Sequence, residues 1–112
     1  VCSSDLEMLI YREETFGPVA AVIAFDGEDD VLAMANDTTY GLAAYVYTQS
    51  LSRAMRTFEG LQFGIIGIND INPTSAAAPF GGMKESGLGR ELGHEGLDSY
   101  LETKYVSFKL RD

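Results

Sequence analysis

Residues 42–69 read LAAYVYTQSLSRAMRTFEGLQFGIIGIN, and the change of period inside them decides the fold class. Leu42 to Thr48 is an apolar run that includes Tyr45 and Tyr47, the composition of a strand. Ser50 or Ser52 can cap the helix that follows, in which Leu51, Met55 and Phe58 fall on one face. Gly60 stands where such a helix stops. Gly64 to Asn69 then returns to an apolar run. Strand, helix and strand joined by short connections predict two parallel strands linked by a helical crossover.

The same alternation extends toward the N-terminus. Val19 to Phe25 is a continuous apolar run rich in β-branched residues, which predicts a strand covered on both faces. Asp26 can cap the next helix, with Glu28, Asp29 and Asp30 in its first turn, where the helix dipole favours anions. Val31, Leu32 and Ala35 give that helix an apolar stripe, and Asn36-Asp37 closes it. The expected class is therefore α/β, a parallel sheet with crossover helices. After Asn69 the pattern is irregular to about Gly93. A short amphipathic helix with Leu97, Tyr100 and Leu101 follows. Lys104 to Leu110 then alternates Tyr105, Ser107 and Lys109 against Val106, Phe108 and Leu110, as a strand does. No neighbouring segment offers it a register, so its partner is expected in a missing segment or in another subunit.

Charge and composition exclude several classes. The 112 residues carry a net charge of −9, from 8 basic and 17 acidic side chains, and no basic run that would mark a nucleic-acid surface. No apolar stretch approaches the roughly 20 residues that span a bilayer, and no signal peptide is visible. One Cys rules out an internal disulfide framework and fits a reducing compartment, so a cytoplasmic location is expected. The abrupt start without Met suggests a piece of a longer protein. The end of a common sequencing adapter, read as codons, translates to VCSSDL, so residues 1–6 are expected to be non-native read-through. Cys2 then drops out as a nucleophile.

Residues 79–93, PFGGMKESGLGRELG, place five glycines among charged and aromatic residues. Such density suits neither helix nor strand and describes a shaped loop. Its Gly87 to Gly93 segment lacks the spacing and the preceding strand of a dinucleotide fingerprint. His94 stands alone, whereas a metal would need three or four ligands, so no metal site is expected. Ser86 has no Asp-His pair to activate it. In Glu13-Glu14-Thr15-Phe16-Gly17-Pro18, two carboxylates precede a ring and a turn. Such pairs are usually solvated, although a carboxylate can also accept both hydroxyls of a ribose diol.

Taken together, residues 13–19 (EETFGPV), 35–42 (ANDTTYGL), 78–91 (APFGGMKESGLGRE) and 100–106 (YLETKYV) resemble the C-terminal portion of the NAD(P)-dependent aldehyde dehydrogenase superfamily. The resemblance runs from residue 7 to the end of the chain and implies a reaction. A cysteine thiolate adds to the aldehyde, hydride passes from the thiohemiacetal to the nicotinamide, and a glutamate-activated water hydrolyses the thioester. The nucleophile, the general base, the oxyanion-hole Asn and the dinucleotide-binding domain all belong upstream. The chain is thus expected to hold no catalytic residue and to be inactive alone.

By the same resemblance Glu14 binds the nicotinamide ribose hydroxyls and Phe16 packs beside the nicotinamide. Phe80 lines the aldehyde tunnel, and Asp70 to Ala78 forms the tunnel's outer wall. The tail and glycine block look most like the succinate-semialdehyde dehydrogenase branch, where a loop hydroxyl helps hold the substrate carboxylate. The matching position is Thr74, with Ser75 beside it. Residues 7–99 would complete the catalytic domain, and 100–112 would form an oligomerisation strand of a homodimer or homotetramer. Whether NAD or NADP binds stays open, because the discriminating residues lie upstream. Lactaldehyde or glycolaldehyde specificity, or a small non-catalytic protein-binding module, are the alternatives.

Overall fold

A computed structural model describes residues 2–3, 6–13 and 16–110. Along the chain these form β1 (Cys2–Ser3), α1 (Leu9–Arg12), β2 (Ala21–Val22), α2 (Glu28–Asn36) and β3 (Tyr40–Gly41). They continue with β4 (Ala43–Val46), α3 (Leu51–Gly60), β5 (Ile65–Ile68), β6 (Met83–Lys84) and α4 (Glu95–Asp98).

The centre is the β4–α3–β5 unit. Its two strands are parallel, with Ala43 opposite Ile65 and Val46 opposite Ile68, and α3 makes the crossover. Ser50 is the cap: its Oγ accepts the Arg53 N–H at 3.3 Å. Ala54 and Thr57 on α3 and Leu61 just beyond it are buried. Gly60 is the last helical residue rather than the residue after the helix.

Helix α2 lies against α3. Glu28 takes a two-pronged contact from Arg56, at 2.8 and 2.9 Å, with Arg53 at 3.5 Å. At the other end, Asn36 Nδ2 donates to the Gly60 carbonyl at 2.8 Å and its Oδ1 accepts the Gln62 N–H at 2.9 Å. One asparagine thus ties the ends of both helices. The N-cap of α2 is Gly27 and not Asp26, although Glu28, Asp29 and Asp30 do occupy the first turn.

Two expectations change, and the closing segment stays open. The strand predicted over Val19 to Phe25 shrinks to Ala21–Val22, paired in parallel with β1, and Val19, Val22 and Phe25 are exposed. Among the described residues the one strand beside it is two residues long, and the ladder is no longer than that. The segment predicted as irregular contains β6, which pairs antiparallel with β3. Lys104 to Leu110 has no ladder partner among the described residues, with Tyr105 89% and Phe108 79% exposed.

The accessible surface is 9343 Å². A closed globule of 12.2 kDa exposes about 6000 Å². The apolar faces of these elements therefore remain largely open to solvent.

Candidate functional site

Strand β5 ends at Asn69, whose φ of 53° is left-handed, a conformation that Asn tolerates better than most side chains. Its side chain continues the strand pair: Nδ2 donates to the Thr48 carbonyl at 2.8 Å, and Oδ1 accepts the Thr48 N–H at 2.9 Å. The chain leaves the sheet there in a fixed direction. Asp70 Oδ1 accepts the Asn72 N–H at 2.9 Å, and Asn72 Oδ1 accepts the Thr74 hydroxyl at 2.9 Å. A turn from Ser75 to Ala78 follows, closed by the Ala78 N–H on the Ser75 carbonyl at 3.0 Å.

The returning segment is held as firmly. Phe80 and Glu91 exchange both backbone hydrogen bonds at 2.7 Å. A Cβ on Gly64 would run into the Gly81 carbonyl, so only glycine lets β5 and this segment pass so closely. At Gly93, φ is +59° and a Cβ would sit 3.1 Å from the Pro79 nitrogen. Lys84, at φ 54°, donates its ammonium to the carbonyls of Asn36 at 2.9 Å and Thr38 at 3.0 Å, and so grips the end of α2. The Ser86 hydroxyl accepts the Gly41 N–H at 2.9 Å and so ties this segment to β3.

Thr74, Ser75 and half-buried Phe80 line one hollow of about 270 Å³, together with Gly64, Ile65, Ile66, Pro73, Ala78 and Pro79. Three residues singled out from the sequence thus converge. Phe16 is 93% exposed and is not part of that lining. Glu14 lies outside the described residues. Upstream of Phe16, α1 is tied to the residue that caps the C-terminus of α2. Tyr11 donates its hydroxyl to Asp37 at 3.1 Å, and Arg12 pairs with the same carboxylate at 3.0 Å. Arg12, and after it Tyr11, hold the Asp37 carboxyl below its usual range.

Sequence reasoning passes over Asn69, Asn72 and Lys84. The available signal was the Asn-Asp-Ile-Asn string just after a strand, where short polar side chains favour local backbone-bonded turns. His94 is exposed at the start of α4, and no group able to hold a metal occurs among the described residues. No helix among them is long and apolar enough to cross a membrane.

The sequence pattern of the aldehyde dehydrogenase family matches residues 2–106. The chain belongs to that family. Among curated aldehyde dehydrogenases, the mitochondrial succinate-semialdehyde dehydrogenase of Oryza sativa subsp. japonica is 51% identical over 100 residues, covering 89% of this chain and 19% of that protein. The NADP(+) succinate-semialdehyde dehydrogenase of Escherichia coli K12 is 52% identical over 101 residues, covering 90% and 21%. A solved indole-3-acetaldehyde dehydrogenase variant of P. syringae, in complex with NAD+, superposes with a TM-score of 0.89 at 42% identity, covering 96% of this chain and 22% of that one. The fold is thus the aldehyde dehydrogenase fold, and the chain spans about a fifth of the length of these relatives.

Proposed function

We propose that the chain is the C-terminal part of an NAD(P)-dependent dehydrogenase that oxidises a short semialdehyde, of the succinate-semialdehyde type, to the acid. The observation that carries this is the convergence of Thr74, Ser75 and Phe80 on one hollow in a chain of this family. Apolar walls with two hydroxyls suit a short aliphatic aldehyde with a polar far end. The relatives named for succinate semialdehyde support that substrate class. Nucleophile and general base come from the upstream part, and residues 7–112 position the reactants.

Phe16 has an open ring face that fits a flat nicotinamide, and Glu14 takes the ribose hydroxyls. When bound, the nucleotide accepts the hydride. The chain's own share is orientation: it fixes the ring and the aldehyde relative to each other. One relative is named for NADP(+) and one solved neighbour holds NAD+, so either nucleotide is a candidate. Residues 100–112 serve as the strand through which subunits pair, and residues 1–6 are adapter-derived.

The full-length protein, expressed from source DNA, is expected to produce reduced nicotinamide with succinate semialdehyde. The isolated chain should produce none. A full-length protein that oxidises succinate semialdehyde and butanal equally well would overturn the substrate class, and one that oxidises no aldehyde would overturn the function.

A further inference from the structure

Three segments far apart in the sequence meet at the end of α2, on Asn36, Asp37 and Thr38. Asn36 ties α3 there, through the Gly60 carbonyl and the Gln62 N–H. Lys84 donates to the carbonyls of Asn36 and Thr38, on either side of Asp37, and the Glu85 N–H donates to the Thr39 carbonyl at 2.9 Å. The Asp37 side chain meets α1 instead. Its Oδ2 accepts the Tyr11 hydroxyl at 3.1 Å and pairs with the Arg12 guanidinium at 3.0 Å. The same hydroxyl lies 3.3 Å from the Met34 carbonyl. Arg12 also lies over the Tyr11 ring, 4.7 Å from its centroid, so the two partners of Asp37 support each other.

Two of these segments lead directly to residues that the proposed function uses. Phe80 stands four positions before Lys84, and Glu14 and Phe16 stand two and four positions after Arg12. Four residues of fully extended chain reach no further than about 14 Å, so Phe16 stays near the point where α1 is tied. The side chains of Arg12 and Asp37 are 57% and 51% exposed. An ion pair so open to water contributes little to stability. What it supplies is direction, because it joins an element on the nucleotide side to the element that also carries the glycine block.

We infer that Asp37 is a positioning residue for the reaction: it fixes α1 where Lys84 fixes the glycine block, and so sets the nucleotide relative to the aldehyde. This rests on the reading of the chain as part of an NAD(P)-dependent dehydrogenase, with Glu14 and Phe16 on the nucleotide. Hydride transfer is sensitive to such placement, since small displacements far from the reacting atoms lower its rate.

The test is steady-state kinetics of the full-length protein with succinate semialdehyde and whichever of NAD+ and NADP+ it uses. Asp37→Ala is expected to raise the nucleotide KM and lower kcat, each about fivefold, with the aldehyde KM changed by no more than about twofold. Deuterium on the aldehyde carbon should slow this variant more than it slows the unsubstituted protein, because hydride transfer has become the slower step. Arg12→Gln should act in the same direction, and Arg12→Lys, which keeps the cation, should restore the original kinetics. The double variant Arg12→Gln/Asp37→Ala should be no worse than Asp37→Ala alone. A merely structural role would lower the melting temperature and leave the isotope effect unchanged. The inference is overturned if nucleotide KM and isotope effect stay at their original values, or if both KM values rise together. Should Asp37→Ala fail to fold, Arg12→Gln decides by the same readouts. A full-length protein that oxidises no aldehyde, or whose nucleotide KM is indifferent to Glu14→Gln, would instead overturn the reading beneath.

Discussion

Lys84 combines a backbone conformation that L-residues avoid with an ammonium that grips two carbonyls at the end of α2. Its ring contact with Phe63, 5.9 Å from ammonium to centroid, adds to the hold. The two properties oppose each other in energy, because a left-handed non-glycine residue costs about 1 kcal/mol or more. Lys84→Gly removes the strain along with the ammonium, whereas Lys84→Met removes only the ammonium. The methionine variant of the full-length protein should lose about 1 kcal/mol of stability, and the glycine variant less. Urea midpoints compare them; equal losses would show that the strain is not relieved. No periodicity announces such a residue. Lys84 in the sequence is one more charge in a glycine loop, and its partners lie 46 and 48 positions away.

At the level of elements, the clamp between α2 and α3 depends on one carboxylate. The Arg56 hydrogen bond, with Arg53 assisting, holds Glu28 below its usual pKa. A depressed carboxylate contributes stability that is present above its unfolded pKa and lost as pH falls through its folded one. The difference in melting temperature between the unsubstituted protein and Glu28→Gln should therefore be constant near neutrality. It should close only below the ordinary carboxylate range, and a gap that persists there would argue against the clamp. The site is exposed and salt weakens it, so the gap should also shrink at high ionic strength. The β4–α3–β5 unit was legible because its periods, its serine cap and its short connections all agree. The limits of β2 were not, since strand length depends on the neighbouring ladder as well as on the residues themselves. The hollow's members Phe80, Thr74 and Ser75 were identified by their place relative to the glycine block, whereas Asn69 and Asn72 work through hydrogen bonds that no pattern displays.

For the whole molecule, open surface governs behaviour. The described chain extends over 78 × 33 × 24 Å with a radius of gyration of 19.7 Å, against about 13 Å for a closed domain of this length. Only Ala54 and Leu61 are buried apolar residues among those described. Isolated residues 7–112 are therefore expected to bind a hydrophobic dye strongly and to melt without a sharp transition. The full-length protein should show neither trait. A cooperative calorimetric peak from the isolated segment would contradict this expectation. The closing segment illustrates a limit of sequence reading at this scale: its alternation predicts a strand with a partner and cannot say which chain supplies it.

The tight passage between Gly64 and Gly81 has a bearing on how such an enzyme could be retuned. Both positions are fixed points of the scaffold, since any larger residue would push two backbones apart. On the proposed function, variation in aldehyde preference would fall to the arc between them, residues 70–78, which lies between these two close approaches. A mutagenesis library confined to that arc, with both glycines untouched, would search chemistry without sampling collapse.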